Sequence, residues 1–266
     1  MPLKRERRSK KKPPHKSVLG HIDAGESLQL RNPHSILTAL KVRPTDVDEL
    51  RVSKNAAQSR VWSDIIDLAE SHGIDIAQRE FSLQTSDVRL SAGELHIKPR
   101  ISISISKMFS DPKEGDIWIG VDGVQDARNI GAIARSAQFF GARGMIITRD
   151  RTSPITSISH DVAAGGLEAL PLSQPPNLAK ALETIKSMNV WVAGTAEEAE
   201  SNLDTLNADR PWLVLLGNEE NGLRRLTREA CDVLTRIENH SNTVTSLNVS
   251  VAAGVALSTL RSRAQF

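Results

Sequence analysis

The chain has 266 residues, of which 39% are hydrophobic, 25% charged and 3% aromatic. That is enough to bury a sizeable core, and it suits two modest domains better than one large one. A single cysteine, Cys231, excludes an intramolecular disulfide framework and a multi-cysteine zinc site and points to a reducing compartment, while no apolar run reaches the roughly 18 to 20 residues that span a bilayer.

The first residues lack the apolar core of a secretory signal. Instead residues 1–16 (MPLKRERRSKKKPPHK) carry eight Lys/Arg against one acid, a net +7 within a total of +2, so residues 17–266 are net −5. Such a run is expected to be disordered and to contact phosphates without sequence choice. A solubilising tail is the plainer alternative. NPHSILTALKVRPTDVDELRVSK then reads as a helix, a turn at Pro44 and a strand. VWSDIIDLAESHGIDIAQ follows as a helix with Ile65, Ile66, Leu68 and Ala69 inward, ended by Gly73 before a short strand. These make a small α/β unit over residues 17–98. KPRISISISKMFSDPKEGD alternates polar and apolar before a Pro/Gly/Asp cluster, and reads as an edge strand and a linker over 99–114.

From 115 to 266 the strands DIWIGVDG, GMIIT, VWVAGT, WLVLLG and DVLTRI alternate with the helical stretches NIGAIARSAQFFG, SISHDVAAGGLEAL, NLAKALETIKSM and LTREACDV. Short apolar runs separated by helices predict an α/β domain with a mostly parallel sheet and flanking helices on both faces. The first helix turns Ile130, Ile133, Ala134, Ala137 and Phe140 inward and leaves Arg135 off that stripe. Trp118, Trp191 and Trp212 sit within strands and read as core. The last helix, SLNVSVAAGVALSTLRSR, is built of small residues that let another helix approach closely.

A parallel sheet of this kind binds ligands at the carboxyl ends of its strands. The usual nucleotide loops, GxGxxG and GxxxxGK[ST], are absent, as is the GxSxG nucleophile elbow. The seven histidines show no metal-ligand spacing, so no metal is expected. Nine aromatic residues without a tyrosine argue against a base-stacking platform. Polar residues gather instead in three loops. DARNIGAIARSAQFFGA places Asn129 and Gly131 at a helix start, where free N–H groups favour an anion, with Arg135 a turn later. LLGNEENGL holds Gly217, Glu219 and Gly222, and SLNVSVAAG puts Ser246 and Asn248 at the head of the last helix. Each alone has a structural reading: Asp126 and Asn129 as caps, the glycines as turn formers, Ser246 as an N-cap.

Together, in this order and spacing, DARNIGAIARSAQFFGA, LVLLGNEENGL and SLNVSVAAG resemble the three motifs of the SpoU branch of the SPOUT RNA methyltransferases. The resemblance covers roughly residues 115–262 and more weakly 30–98. GLRRLTREACD and VWVAGTAEEAE look most like the bacterial 23S rRNA guanosine 2′-O-methyltransferases. The resemblance implies a parallel sheet closed by a deep trefoil knot, which simple topology rules would disfavour. It implies S-adenosyl-L-methionine as cofactor, a homodimer, no metal, no membrane, and an RNA substrate in the cytoplasm, rRNA ahead of tRNA. The N-terminal unit resembles a ribosomal-protein-like RNA substrate-binding domain.

Arg135 matches the family arginine that activates the ribose hydroxyl or holds the adjoining phosphate, and a protonated guanidinium favours the second role. Asn129, Glu219, Ser246 and Asn248 match polar residues that shape the catalytic site. Thr195, Gly217, Ile237 and Leu247 fall where the family lines its cofactor cleft. Two departures stand out: Ala127 replaces the usual proline, and IENHSNTVTSLNVS lacks the Pro, Met and Gly of the cofactor loop and is one residue longer. The second motivates an alternative, a non-catalytic RNA-binding or ribosome-assembly protein that kept the fold. A nucleotide-dependent small-molecule enzyme is suggested only by the parallel sheet.

Overall fold

The computed structural model describes residues 27–81 and 92–264; the basic arm over residues 1–16 lies outside them. Among the described residues, four short strands and two α-helices form the N-terminal unit: β1 (Leu28–Leu30), α1 (Pro33–Val42), β2 (Val47–Val52), α2 (Arg60–Ser71), β3 (Ile76–Gln78) and β4 (Gly93–Ile97). The sheet order is β1-β4-β2-β3, with β4 antiparallel to both neighbours and β2 parallel to β3. Alternate residues Leu28, Leu30, Leu50, Val52, Leu95 and Ile97 share a core with Ile36 and Leu40 of α1 and Trp62 and Ile65 of α2. Ile65 and Ala69 are buried as expected, whereas Ile66 and Leu68 are only partly buried, because the inward stripe at helical spacing is Trp62, Ile65 and Ala69 and they flank it. A Cβ on Gly93 would lie 2.6 Å from the Trp62 ring and 2.7 Å from the Arg51 carbonyl. Gly93→Ala is therefore expected to cost about 1–3 kcal/mol by overpacking, read as a lower denaturant midpoint.

The expected edge strand in KPRISISIS is not a strand. The segment forms no ladder; its backbone donates from Lys98 N–H to the Asp46 carbonyl and from Ile103 N–H to the Leu172 carbonyl, both at 2.9 Å. Arg100 turns into the carbonyls of Leu167, Glu168 and Leu170, and Ser102 Oγ accepts the Gln174 N–H. Its alternation reports side-chain docking rather than a ladder.

The second unit contains α3 (Ile105–Met108), β5 (Ile117–Asp122), α4 (Ala127–Phe139), β6 (Met145–Ile147), α5 (Ser157–Ala163), α6 (Gly166–Ala169), β7 (Leu172–Ser173) and α7 (Leu178–Ser187). It continues with β8 (Trp191–Thr195), β9 (Ser201–Asn202), β10 (Trp212–Gly217), α8 (Arg225–Glu229), β11 (Val233–Arg236) and α9 (Val249–Arg263). Its seven strands pair in the order β7-β6-β5-β10-β8-β11-β9, parallel throughout. One face, with Ile117, Ile119, Val214 and Leu216, packs on α4 and α9; the other, with Trp118, Leu213 and Leu215, packs on α3 and α7. Burial on both faces is why these strands read as unbroken apolar runs.

Three sequence expectations need correction here. SISHDVAAGGLEAL is two helices, because Ala164 and Gly165 take positive φ, 46° and 97°, and α5 and α6 both pack against α4. The helix expected over LTREACDV is only the five-residue α8. Trp118 and Trp212 are core, but Trp191 is 43% exposed: it opens β8 before β11 begins to pair, and Arg210 stacks over it at 4.3 Å. The last helix does approach closely, with Gly254 facing Ser136 of α4 and Arg261 donating to the carbonyls of Phe140 and Gly141 at 2.8 Å.

The two units are fastened by buried polar contacts. Arg43 after α1 donates to both carboxylate oxygens of Glu168, at 2.7 and 3.2 Å, and to the Lys98 carbonyl. His160 Nδ1 lies 2.8 Å from Glu168 Oε1. Asp161 Oδ1 accepts the N–H groups of Arg31 and Asn32, and Ser35 bridges the His160 carbonyl and the Gly165 N–H.

Candidate active site

The carboxyl ends of β5, β8, β10 and β11 carry the loops that the sequence singled out. At the end of β5, buried Asp122 pairs with the Arg224 guanidinium and accepts its backbone N–H at 3.3 Å, tying β5 to the loop after β10. Gly217 ends β10, and a Cβ there would sit 2.1 Å from the Gly222 carbonyl carbon. Only glycine lets residues 218–222 fold back, closed by paired backbone bonds between Asn218 and Gly222. Asn218 organises this turn: its Oδ1 accepts from Glu220 and Asn221, and its Nδ2 donates to the Gly123 carbonyl at 3.0 Å. Sequence reading missed Asn218, although an Asn two residues before a bare N–H is the signature of an Asx turn.

The three motifs meet through one hydrogen-bonded chain. Asn129 Nδ2 donates to Glu219 Oε1 at 2.7 Å, and Asn248 Nδ2 donates to Asn129 Oδ1 at 3.1 Å. Asn248 Oδ1 in turn accepts from Ser250 N and Oγ, at 2.9 and 2.6 Å. Asn248, not Ser246, is thus the N-cap of α9, and Ser246 lies two residues outside it. Asp126 is the N-cap of α4, which frees Asn129 to reach across. Gly131 is not part of an anion site: a Cβ there would meet the Ser159 carbonyl at 2.3 Å, so it serves the crossing of α5 over α4.

Between these loops and the segment 237–247 lies a cavity of about 550 Å³, a size suited to a single small ligand. Thr195, Gly217, Ile237 and Leu247, the four expected cofactor residues, all line it, together with Ser246 and Glu219. Thr195 spends its hydroxyl on the Leu215 carbonyl at 3.1 Å. The segment that departs from the family pattern is closed by its own side chains. Asn239 Nδ2 donates to the Val244 carbonyl at 2.9 Å, and Ser241 Oγ accepts from Thr243 N and Val244 N. Arg135 is not brought to this cavity. It is exposed on α4, with no hydrogen bond or ion pair to a described residue.

The residues present fit S-adenosylmethionine. Apolar Leu216, Val249 and Ala252 line one part of the wall, and the buried Thr235 hydroxyl in that wall has no protein partner. Glu197, Glu198, Glu219, Glu220 and Glu238 outnumber Arg228 and Arg236, an excess of negative charge that suits a sulfonium cation. Other chemistries find less support. Cys231 is held by burial at a pKa of about 12, far from a reactive thiolate. Among the described residues no group of three or more His, Cys, Asp or Glu could hold a metal ion, and no helix is long and apolar enough to cross a membrane.

Comparison with known proteins places this geometry. The 23S rRNA (guanosine-2′-O-)-methyltransferase RlmB of Nitrosomonas europaea is 33% identical over 228 residues, covering 84% of this chain and 87% of the relative. RlmB of Haemophilus influenzae is 32% identical, covering 87% and 96%. The crystal structure of the SpoU methyltransferase AviRb from Streptomyces viridochromogenes in complex with the cofactor AdoMet superposes with a TM-score of 0.74 at 19% identity, over 90% of each chain. The fold is therefore the knotted α/β fold that the three motifs imply. The SpoU rRNA methylase family model matches residues 116–258, and the chain belongs to that family.

Proposed function

We propose that this protein transfers a methyl group from S-adenosylmethionine to a ribose 2′-hydroxyl of large-subunit rRNA, in the cytoplasm and as a homodimer. The observation that carries this reading is the Glu219–Asn129–Asn248 chain, which closes three motifs beside an acidic cavity. When bound, S-adenosylmethionine supplies a methyl on a positively charged sulfur. The protein must hold the ribose hydroxyl in line behind it and manage a weakly acidic proton. Asn129 and Asn248, each fixed by the other, give a rigid polar wall. Glu219 uses one carboxylate oxygen on Asn129, and the other is open to orient the ribose hydroxyl. Arg135 binds the adjoining phosphate and stabilises developing charge.

That role calls for a second protomer, since Arg135 is exposed and does not line the cavity of its own chain. Phe139, 82% exposed one turn after Arg135, and Val251 and Val255 on α9 form apolar surface on two helices that pack together. A copy docked there covers this surface and carries Arg135 to its partner's cavity. The unit formed by β1–β4, α1 and α2 is the RNA substrate-binding domain, and the arm adds affinity. Removing residues 1–16 is expected to weaken RNA binding at low salt and flatten its salt dependence, by about 0.7–0.9 in slope for each phosphate the arm would otherwise neutralise, while the methylated position stays the same.

Calorimetric titration with S-adenosylmethionine tests the reading: saturable binding is expected. The loop 237–247, without the family's Pro, Met and Gly, favours the second reading of a non-catalytic RNA-binding protein. A folded chain that binds RNA but gives no heat with the cofactor would establish that one instead.

A further inference from the structure

The turn joining β6 to α5 is held tightly for an exposed segment. The hydroxyls of Thr148 and Thr152 lie 2.5 Å apart, and both accept the Gly123 N–H, at 3.2 and 3.1 Å. Ser153 N donates to the Val124 carbonyl at 2.9 Å. These bonds fix the turn to the loop that opens the first motif, and the Gly123 carbonyl receives Asn218 Nδ2 from the rim of the cavity. Within this clamp Arg151 adopts φ 61°, the left-handed region that disfavours any residue with a Cβ.

Two other non-glycine residues share that region among the described ones, and both have a local reason. Ala164 closes α5 so that α6 can follow, and Asn189, a residue type that tolerates this conformation, closes α7. Arg151 has none. Its side chain is exposed and makes no hydrogen bond or ion pair to a described residue. Glycine or asparagine would form the same turn with less strain, so the backbone does not explain an arginine there. Charge does. The cavity is lined by five glutamates, and of its two arginines Arg228 pairs with Glu198 and Arg236 donates to Asn202. The turn that Gly123 ties to Asn218 on the cavity wall carries Arg151, and the first turn of α4 carries the exposed Arg128. Both segments follow carboxyl ends of strands in the sheet that carries the cavity, so a polyanion approaching that end of the sheet meets exposed cations.

We infer that Arg151 is a substrate-binding residue whose guanidinium contacts an RNA phosphate beside the target ribose. This rests on the reading of the protein as an RNA methyltransferase. The strain is retained because a planar, doubly donating group held on a fixed turn matches a phosphate better than a flexible one.

The test compares full-length wild type, Arg151→Gly and Arg151→Lys, using purified 23S rRNA as the probe. Arg151→Gly is expected to raise Tm by about 2 °C as strain is relieved. It should weaken RNA binding about 5- to 10-fold at low salt and lower the salt slope by about 0.7 to 0.9. KM for RNA should rise with kcat nearly unchanged, the mark of lost uniform binding. Arg151→Lys should retain the wild-type salt slope. A purely structural Arg151 would move Tm alone, so an Arg151→Gly protein with wild-type slope and KM overturns the inference. If the wild type binds 23S rRNA but transfers no methyl, the functional reading fails while the slope comparison still decides the role of Arg151. A wild type that binds no RNA overturns both.

Discussion

Replacing Glu168 by alanine is expected to remove about 3–5 kcal/mol of folding stability. Its carboxylate is fully buried between Arg43 and His160, themselves 10% and 2% exposed. Removal leaves two buried cationic or polar groups facing each other without a counter-charge. Burial alone would push the Glu168 carboxyl up, but His160 and then Arg43 override it and hold it at about 2. The sign follows from that depression. The ionised carboxylate contributes its full stabilisation above the ordinary value of 4.5, and the contribution is lost as pH falls toward 2. Denaturant unfolding of wild type and Glu168→Gln across pH 7 to 2 checks this: the difference should shrink by about 3 kcal/mol over the acidic end. A difference that stays constant with pH would show that charge plays no part. Because Arg43 belongs to the N-terminal unit and Glu168 to α6, the loss should also appear as faster amide exchange in α1.

Arg135→Ala is expected to lower methyl transfer by about 10²- to 10³-fold, the range seen when one charge-stabilising donor is removed, with no change in Tm. The side chain is exposed and holds nothing in its own protomer, so folding gives no alternative explanation. Cofactor titration should be unaffected. Mixing Arg135→Ala protomers with a Gly217→Val protein, whose 218–222 turn at the cavity cannot close, should restore part of the activity, because one site of the mixed dimer has both parts intact. No recovery in the mixture, with exchange of protomers verified, would place Arg135 in the cavity of its own chain.

The central parallel strands were legible because both faces are buried, so DIWIGV and WLVLLG carry no polar alternation to confuse with an exposed sheet. Edge strands β7 and β9 were not, since two residues carry no periodicity. KPRISISIS misled for a physical reason: Arg100 and Ser102 alternate with apolar residues because they satisfy carbonyls and an N–H of the body, which imitates a strand. The split of SISHDVAAGGLEAL was hidden by helical spacing that runs through Ala164 and Gly165. For the site, residue types and spacings identified the three motifs, and the four cofactor residues fall on one cavity. What no local pattern could give is contact between distant loops. Asn129 reaching Glu219 and Asn218 reaching Gly123 are consequences of strand order, and so is a cavity lining that omits Arg135.

The most direct measurement is transfer of labelled methyl from S-adenosylmethionine to 23S rRNA, followed by mapping of the modified nucleotide. The expected result is label on a single ribose 2′-oxygen, absent from Arg135→Ala and unchanged in position when residues 1–16 are removed. A folded, cofactor-binding protein that labels no ribosomal RNA, or that labels a base instead of a ribose, would contradict the account.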